Sequence, residues 1–153
     1  MKLQRKKLFT CIAIPLFVGI LAAFLTRDSM KNFSLLIKPS WTPPGWLFPV
    51  VWTVLYLLMG LSSYLFITSE TQNTFALILY GTQLAFNFFW LILFFSLELY
   101  WYAFLWLALL WLLIVETAAL FYQSSKTAAY LLLPYLLWVT FAGYLNFAIS
   151  ILN

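Results

Sequence analysis

The run Lys38-Pro39-Ser40-Trp41-Thr42-Pro43-Pro44-Gly45-Trp46-Leu47-Phe48-Pro49-Val50-Val51-Trp52 decides how this chain is read. Four of its fifteen residues are proline and three are tryptophan, at the point where a polar stretch gives way to a long apolar one. Proline lacks a backbone donor and is tolerated at the start of a helix but costly inside one. Tryptophan is an amphipathic ring that favours membrane–water interfaces. The run therefore reads as a loop-to-helix junction at the mouth of a membrane bundle, and its density of rings makes it a candidate site for an aromatic ligand.

The rest of the chain supports a membrane reading. Of 153 residues, 65% are hydrophobic and 8% charged, against about 25% charged in soluble domains. Aromatic residues reach 22%, more than two interfacial belts need, so many rings belong inside the bundle. The chain has no histidine, which removes the usual haem ligand, the commonest zinc ligand and the usual general base. The single cysteine, Cys11, makes neither an internal disulfide nor a metal site. A net charge of +4 without a basic stripe gives no support for nucleic acid binding.

Five apolar spans approach the roughly 20 residues a bilayer requires: 8–25, 46–67, 75–97, 99–122 and 128–152. The first follows Lys2, Arg5, Lys6 and Lys7 but is too long for a signal core and lacks a clean cleavage site, so it reads as a retained helix. The fold class expected is an all-α membrane protein, a single five-transmembrane-helix domain over 1–153. Only the connection 26–42 is long, which fits a lid or binding element; Phe33, Leu36 and Ile37 recur in it at helical spacing, as in a short interfacial helix. Lys2, Arg5, Lys6, Lys7 and Lys126 fall on one side and Arg27, Lys31 and Lys38 on the other, which favours a cytoplasmic N-terminus.

Within this frame Thr42 is placed to cap the second span, with Pro43 in its first turn. Pro49, read as lying one to two turns inside, would free the carbonyl of Gly45 for a ligand or for a neighbouring helix. Phe48, Trp52, Tyr56, Met59 and Ser63 share one face of that span, and Trp138, Ala142, Leu145 and Ile149 share one face of the fifth. Both stripes serve either packing or a ligand. Gln83 and Asn87, four apart, and Asn146 are buried amides that either bond helices together or orient a ligand's polar edge. Gly81 with Ala85, and Gly19 with Ala23, are small-residue pairs suited to close helix contact and to a dimer. Glu116 lies inside the fourth span, within reach of the interface and of a pairing with Lys126.

These residues resemble the translocator protein family, also called tryptophan-rich sensory proteins or peripheral-type benzodiazepine receptors. The resemblance covers nearly the whole chain. It rests on Lys38 to Pro44, Phe48 to Trp52, Leu55-Tyr56 with Met59-Gly60, Gln83-Leu84 with Asn87, Pro134-Tyr135 with Trp138, and Phe141-Ala142 with Leu145-Asn146. It implies a five-helix bundle, commonly a homodimer, with a cavity closed by the first loop. It also implies porphyrin or haem as ligand, with no cofactor required and no metal held by the protein. The cavity positions it implies are Pro43, Pro44, Trp52, Gln83, Asn87, Trp138, Ala142 and Leu145, beside Phe48 and Tyr56 from the stripe. Trp52 and Trp138 match tryptophans implicated in light-driven porphyrin breakdown. The family's cholesterol motif wants a tyrosine followed by a basic residue. Here Phe147 stands instead and no Lys or Arg follows, so sterol recognition is not implied and a bacterial cell membrane fits better.

Three function classes follow. The first is a tetrapyrrole-binding sensor or carrier that stacks a flat ring rather than ligating its metal. The second is a light- and oxygen-dependent protoporphyrin-degrading enzyme acting through Trp52 and Trp138. The third is a transporter of small lipophiles; the lack of a visible inverted repeat and the scarcity of interior charges argue against an ion-coupled one.

Overall fold

The computed structural model describes residues 3–153; of the residues read above, Lys2 lies outside that range. Helix α1 runs Arg5–Thr26, the one-turn α2 Met30–Phe33, α3 Leu47–Ile67, and α4 Thr74–Leu91. A π-helical turn, Ile92–Ser96, prolongs α4; α5 spans Tyr100–Ser124, α6 Lys126–Leu131 and α7 Leu133–Leu152. With α4 joined to its π turn and α6 to α7, five helices among the described residues are long and apolar enough to cross a membrane. The all-α five-span class is therefore the observed one, with boundaries displaced by a few residues.

Local chemistry explains most of the boundaries. Asn73 caps α4 by accepting from the Phe75 amide at 2.9 Å, and Ser125 caps α6 through the Ala128 amide at 3.3 Å. The fifth span divides at Leu132 because Pro134, in the first turn of α7, has no N–H to give to the carbonyl of Tyr130. Between the π turn and α5 the chain reverses through Glu98, whose φ of 54° is a left-handed conformation unusual for a side chain of this size.

The second helix corrects the expected cap. It begins at Leu47, so Thr42 lies outside it and donates its hydroxyl to the Pro39 carbonyl at 2.7 Å. Pro49 then falls third in the helix, where its missing N–H belongs to the unpaired first turn and frees no carbonyl. The costly proline is Pro15, inside α1, which frees the carbonyl of Cys11. Gly60 of α3 packs on that carbonyl; a Cβ there would lie 2.9 Å from the Cys11 oxygen and 2.6 Å from the Ile12 Cα.

The helices form a closed ring: α1 beside α3, α3 beside α6 and the start of α7, α7 beside α5, α5 beside α4, and α4 back to α1. The half of the bundle away from the 27–46 connection is solid. Phe66 and Phe121 stack at 4.1 Å, Tyr80 lies against Phe121 at 5.8 Å, and Ser62 donates to the Ala128 carbonyl at 2.7 Å. The other half, under the long connection, is where the interior opens.

Candidate functional site

The opening is a cavity of about 300 Å³ between α1, α3, the end of α4 and α7. Its walls are rings: Phe48, Trp52 and Tyr56 from α3, Trp90, Phe94 and Phe95 from α4 and its π turn, and Phe33 from the connection above. Gly19 and Ala23 of α1 and Ala142 and Leu145 of α7 leave room opposite. No charged side chain is among its described lining residues. Trp52 sits at the centre of the aromatic wall, 5.6 Å from Tyr56, 6.1 Å from Trp90 and 6.1 Å from Tyr135.

A buried amide network fixes these rings from behind. Tyr56 donates to Asn87 Oδ1 at 2.8 Å, Asn87 Nδ2 donates to the Tyr135 hydroxyl at 3.0 Å, and that hydroxyl donates to Gln83 Oε1 at 2.7 Å. Helices α3, α4 and α7 are thereby tied across the centre of the bundle. In a second set Trp90 Nε1 donates to Asn146 Oδ1 at 3.1 Å, and Asn146 Nδ2 to the Tyr100 carbonyl at 2.8 Å. Interhelical bonding is thus the observed use of all three amides. Among the described residues two buried donors lack a partner, Gln83 Nε2 and Trp138 Nε1.

The connection closes the top. Its helix is the single turn Met30–Phe33, shorter than the spacing of Phe33, Leu36 and Ile37 implied. Phe33 drops onto Phe48, Phe94 and Phe95 with centroids 5.8–6.2 Å apart. Two polar clasps hold the lid at its edges. Asn32 Nδ2 donates to Glu98 Oε1 at 3.0 Å; Asn153 accepts from the Ile37 amide at 3.1 Å and donates to its carbonyl at 3.0 Å. Trp41 stacks on Tyr144 of α7 at 5.0 Å, whereas Trp46 is exposed. Lys38 donates to the carbonyls of Phe33, Ser34 and Leu36 and lies 4.9 Å over the Phe33 ring. Lys31 remains exposed.

The sequence-derived residues thus separate into layers. Phe48, Trp52, Tyr56, Ala142 and Leu145 line the cavity, and Gln83 and Asn87 stand behind it. Pro43 and Pro44 belong to the irregular segment of the connection that leads into α3, outside the lining. Trp138, implied as a cavity position, is not among the lining residues: it packs edge-on against Phe48 at 5.8 Å and at a tilt against Phe141 at 5.3 Å, one layer out. Trp90 and Phe94 were not singled out, although with Gln83 and Asn87 they continue a four-three-four spacing that marks one helical face. Gly19 and Ala23, read as a pair suited to close helix contact, line the cavity, with Gly19 hard against the Tyr56 ring of α3.

Comparison with known proteins bears on this arrangement. The sequence profile of the TspO/MBR family matches residues 11–152. The chain is 38% identical to the Tryptophan-rich protein TspO of Chlorobaculum tepidum, over all of this chain and 99% of that one. It is 38% identical to the Tryptophan-rich protein TspO of Archaeoglobus fulgidus, over 96% and 97% of the two chains. To the Translocator protein of Bos taurus it is 37% identical, over 88% and 82%.

Proposed function

The chain belongs to the TspO/MBR family of multi-pass membrane proteins, and on that premise we propose that it binds a tetrapyrrole as a sensory or carrier protein of a bacterial cell membrane. The observation that carries the reading is the uncharged cavity walled by Trp52, Trp90, Phe48 and Phe94 beneath a clasped lid. Such walls offer aromatic faces to a flat ring, and offset or edge-on ring pairs contribute about 0.5–1.5 kcal/mol each beyond burial. With no histidine in the sequence, the ring is held by stacking and not through its metal. At about 300 Å³ the closed cavity is at the small end of ligand pockets. A tetrapyrrole enters with displacement of Phe33 and the lid, leaving its acid arms at the lid edge near Arg27 and Lys31.

The test is a titration of the detergent-solubilised protein with metal-free protoporphyrin and with haem, followed by quenching of tryptophan fluorescence. Similar affinities for the two are expected, reduced for both by Trp52→Ala. A strong requirement for iron, or indifference to Trp52→Ala, rejects stacking in this cavity. The photochemical alternative places its electron-rich indole at Trp52, which lines the cavity, and not at Trp138. Illumination with protoporphyrin should then lose its product in Trp52→Phe and keep it in Trp138→Phe; the reverse pattern rejects that assignment.

A further inference from the structure

A photoexcited tetrapyrrole held against electron-rich rings takes an electron from them, and the geometry of this cavity decides where the resulting hole travels. Trp52 has three ring neighbours: Tyr56 at 5.6 Å, Trp90 at 6.1 Å and Tyr135 at 6.1 Å. The two tyrosines are dead ends. A phenol that loses an electron becomes a strong acid and persists as a neutral radical only when its proton leaves. Tyr56 and Tyr135 are buried, and their hydroxyls donate to the amide oxygens of Asn87 and Gln83. An amide oxygen accepts a hydrogen bond but is too weak a base to take the proton. The positive charge would then stay buried without a partner, which is costly.

Trp90 leads outward. Its Nε1 bond to Asn146 Oδ1 at 3.1 Å fixes the ring, and two bridges run from it to Tyr100. One passes through rings: Trp90 lies 5.9 Å from Phe94, which meets the Tyr100 ring edge-on at 5.2 Å. The other passes through hydrogen bonds, since Asn146 Nδ2 donates to the Tyr100 carbonyl at 2.8 Å. Tyr100 opens α5 at the lid end of the bundle, two residues after the exposed Glu98, and is itself partly exposed. Its phenolic proton therefore has interfacial water to go to.

We propose that Trp52, Trp90 and Tyr100 form an electron relay that carries oxidising equivalents from a photoexcited tetrapyrrole in the cavity to the protein surface. The relay rests on the binding of a tetrapyrrole against Trp52. The excited ring takes one electron from Trp52 and passes it to dioxygen, which leaves as superoxide. Trp90 then reduces Trp52, Tyr100 reduces Trp90, and the Tyr100 proton goes to water. One electron and one proton thus leave Tyr100, while the tetrapyrrole and both indoles return to their starting state. Phe94 is a bridge and not a station, because a benzene ring is harder to oxidise than an indole or a phenol. A second line of rings runs from Phe48 through Trp138, Phe141 and Trp41 to Tyr144, with centroids 5.0–5.8 Å apart. It begins on one phenylalanine and crosses another, so it is the poorer conductor.

The test is electron paramagnetic resonance of the full chain in lipid vesicles, loaded with metal-free protoporphyrin and illuminated in air. Ring-deuterated tyrosine separates phenoxyl from indolyl signals. Wild type should give a tyrosyl radical. Tyr100→Phe keeps a ring against Phe94 and should abolish that signal, with severalfold more oxidation of Trp52 and Trp90 by mass spectrometry. Tyr144→Phe should leave the signal unchanged. Quenching of tryptophan fluorescence in the dark, measured on each protein, reports porphyrin binding separately. A tyrosyl signal that survives Tyr100→Phe, one lost in Tyr144→Phe, or none in wild type that binds porphyrin overturns the relay and leaves the tetrapyrrole reading standing. Absence of binding in the dark overturns both.

Discussion

Gly19→Ala tests whether α1 fixes the cavity wall through Tyr56. A Cβ at Gly19 overlaps Cε2 of the Tyr56 ring and stands 2.6 Å from Cδ2 and 2.9 Å from Cζ. Carbon atoms rest at about 3.5–4.0 Å, so the ring must retreat by roughly 1 Å or α1 must move off. The ring has little freedom: it is 5% exposed, stacks 5.6 Å from Trp52 and donates to Asn87 at 2.8 Å. A retreat of that size takes the hydrogen bond past its 3.5 Å limit or tilts it out of line. Overpacking costs about 1–3 kcal/mol, and an interhelical hydrogen bond in a membrane bundle about 0.6 and at most about 1.7 kcal/mol. Alanine returns about 0.8–1 kcal/mol of helix propensity. The net destabilisation is then roughly 1–3 kcal/mol, read by far-UV circular dichroism as SDS is titrated into mixed micelles. In a Tyr56→Ala background the obstructing ring is gone, and Gly19→Ala should turn neutral or stabilising by up to about 1 kcal/mol. A cost below about 0.5 kcal/mol in the wild type, or the same cost in both backgrounds, refutes the reasoning.

Three further outcomes follow from the same geometry. Gly60→Ala pushes a methyl into the Ile12 backbone and the Cys11 carbonyl and should destabilise by about 1–3 kcal/mol, while Gly81→Ala, with nothing within 4 Å, should not destabilise; SDS titration compares them. Trp138→Phe removes a buried donor that bonds to nothing and should be neutral or slightly stabilising, whereas Trp90→Phe strands the Asn146 oxygen and should cost about 1 kcal/mol. Asn153→Ala removes both bonds to Ile37; hydrogen exchange at the Ile37 amide should quicken at least about tenfold, with that of the α3 core unchanged.

How far the site was legible depended on whether its signal lay along one helix or between two. Phe48, Trp52 and Tyr56 were found together because they repeat on one face of α3, and Gln83 with Asn87 for the same reason on α4. Which rings would meet across two helices was not legible: Trp52 and Trp138 were both implied as cavity positions, and the structure sets Trp52 against Trp90 and Tyr135. Proline showed the same limit. A freed carbonyl was expected at Gly45, four residues before Pro49, but it occurs at Cys11, four before Pro15 of α1, where Gly60 of α3 packs on it.

The sequence by itself determined the solvent, the number of spans, the long first connection and the absence of an imidazole ligand. Each of these is a property of composition or of consecutive residues, and the bilayer imposes a length that such residues either meet or fail to meet. The tertiary structure alone decided how each helix is rotated. A helix apolar on every side has no strong periodicity to say which face turns inward. That choice sent Trp52 and Trp90 to the cavity, Trp138 one layer out, Gly19 against Tyr56 and Glu116 to the surface. It was settled by packing and by the amide bonds that cross the bundle, contacts between residues far apart in the chain.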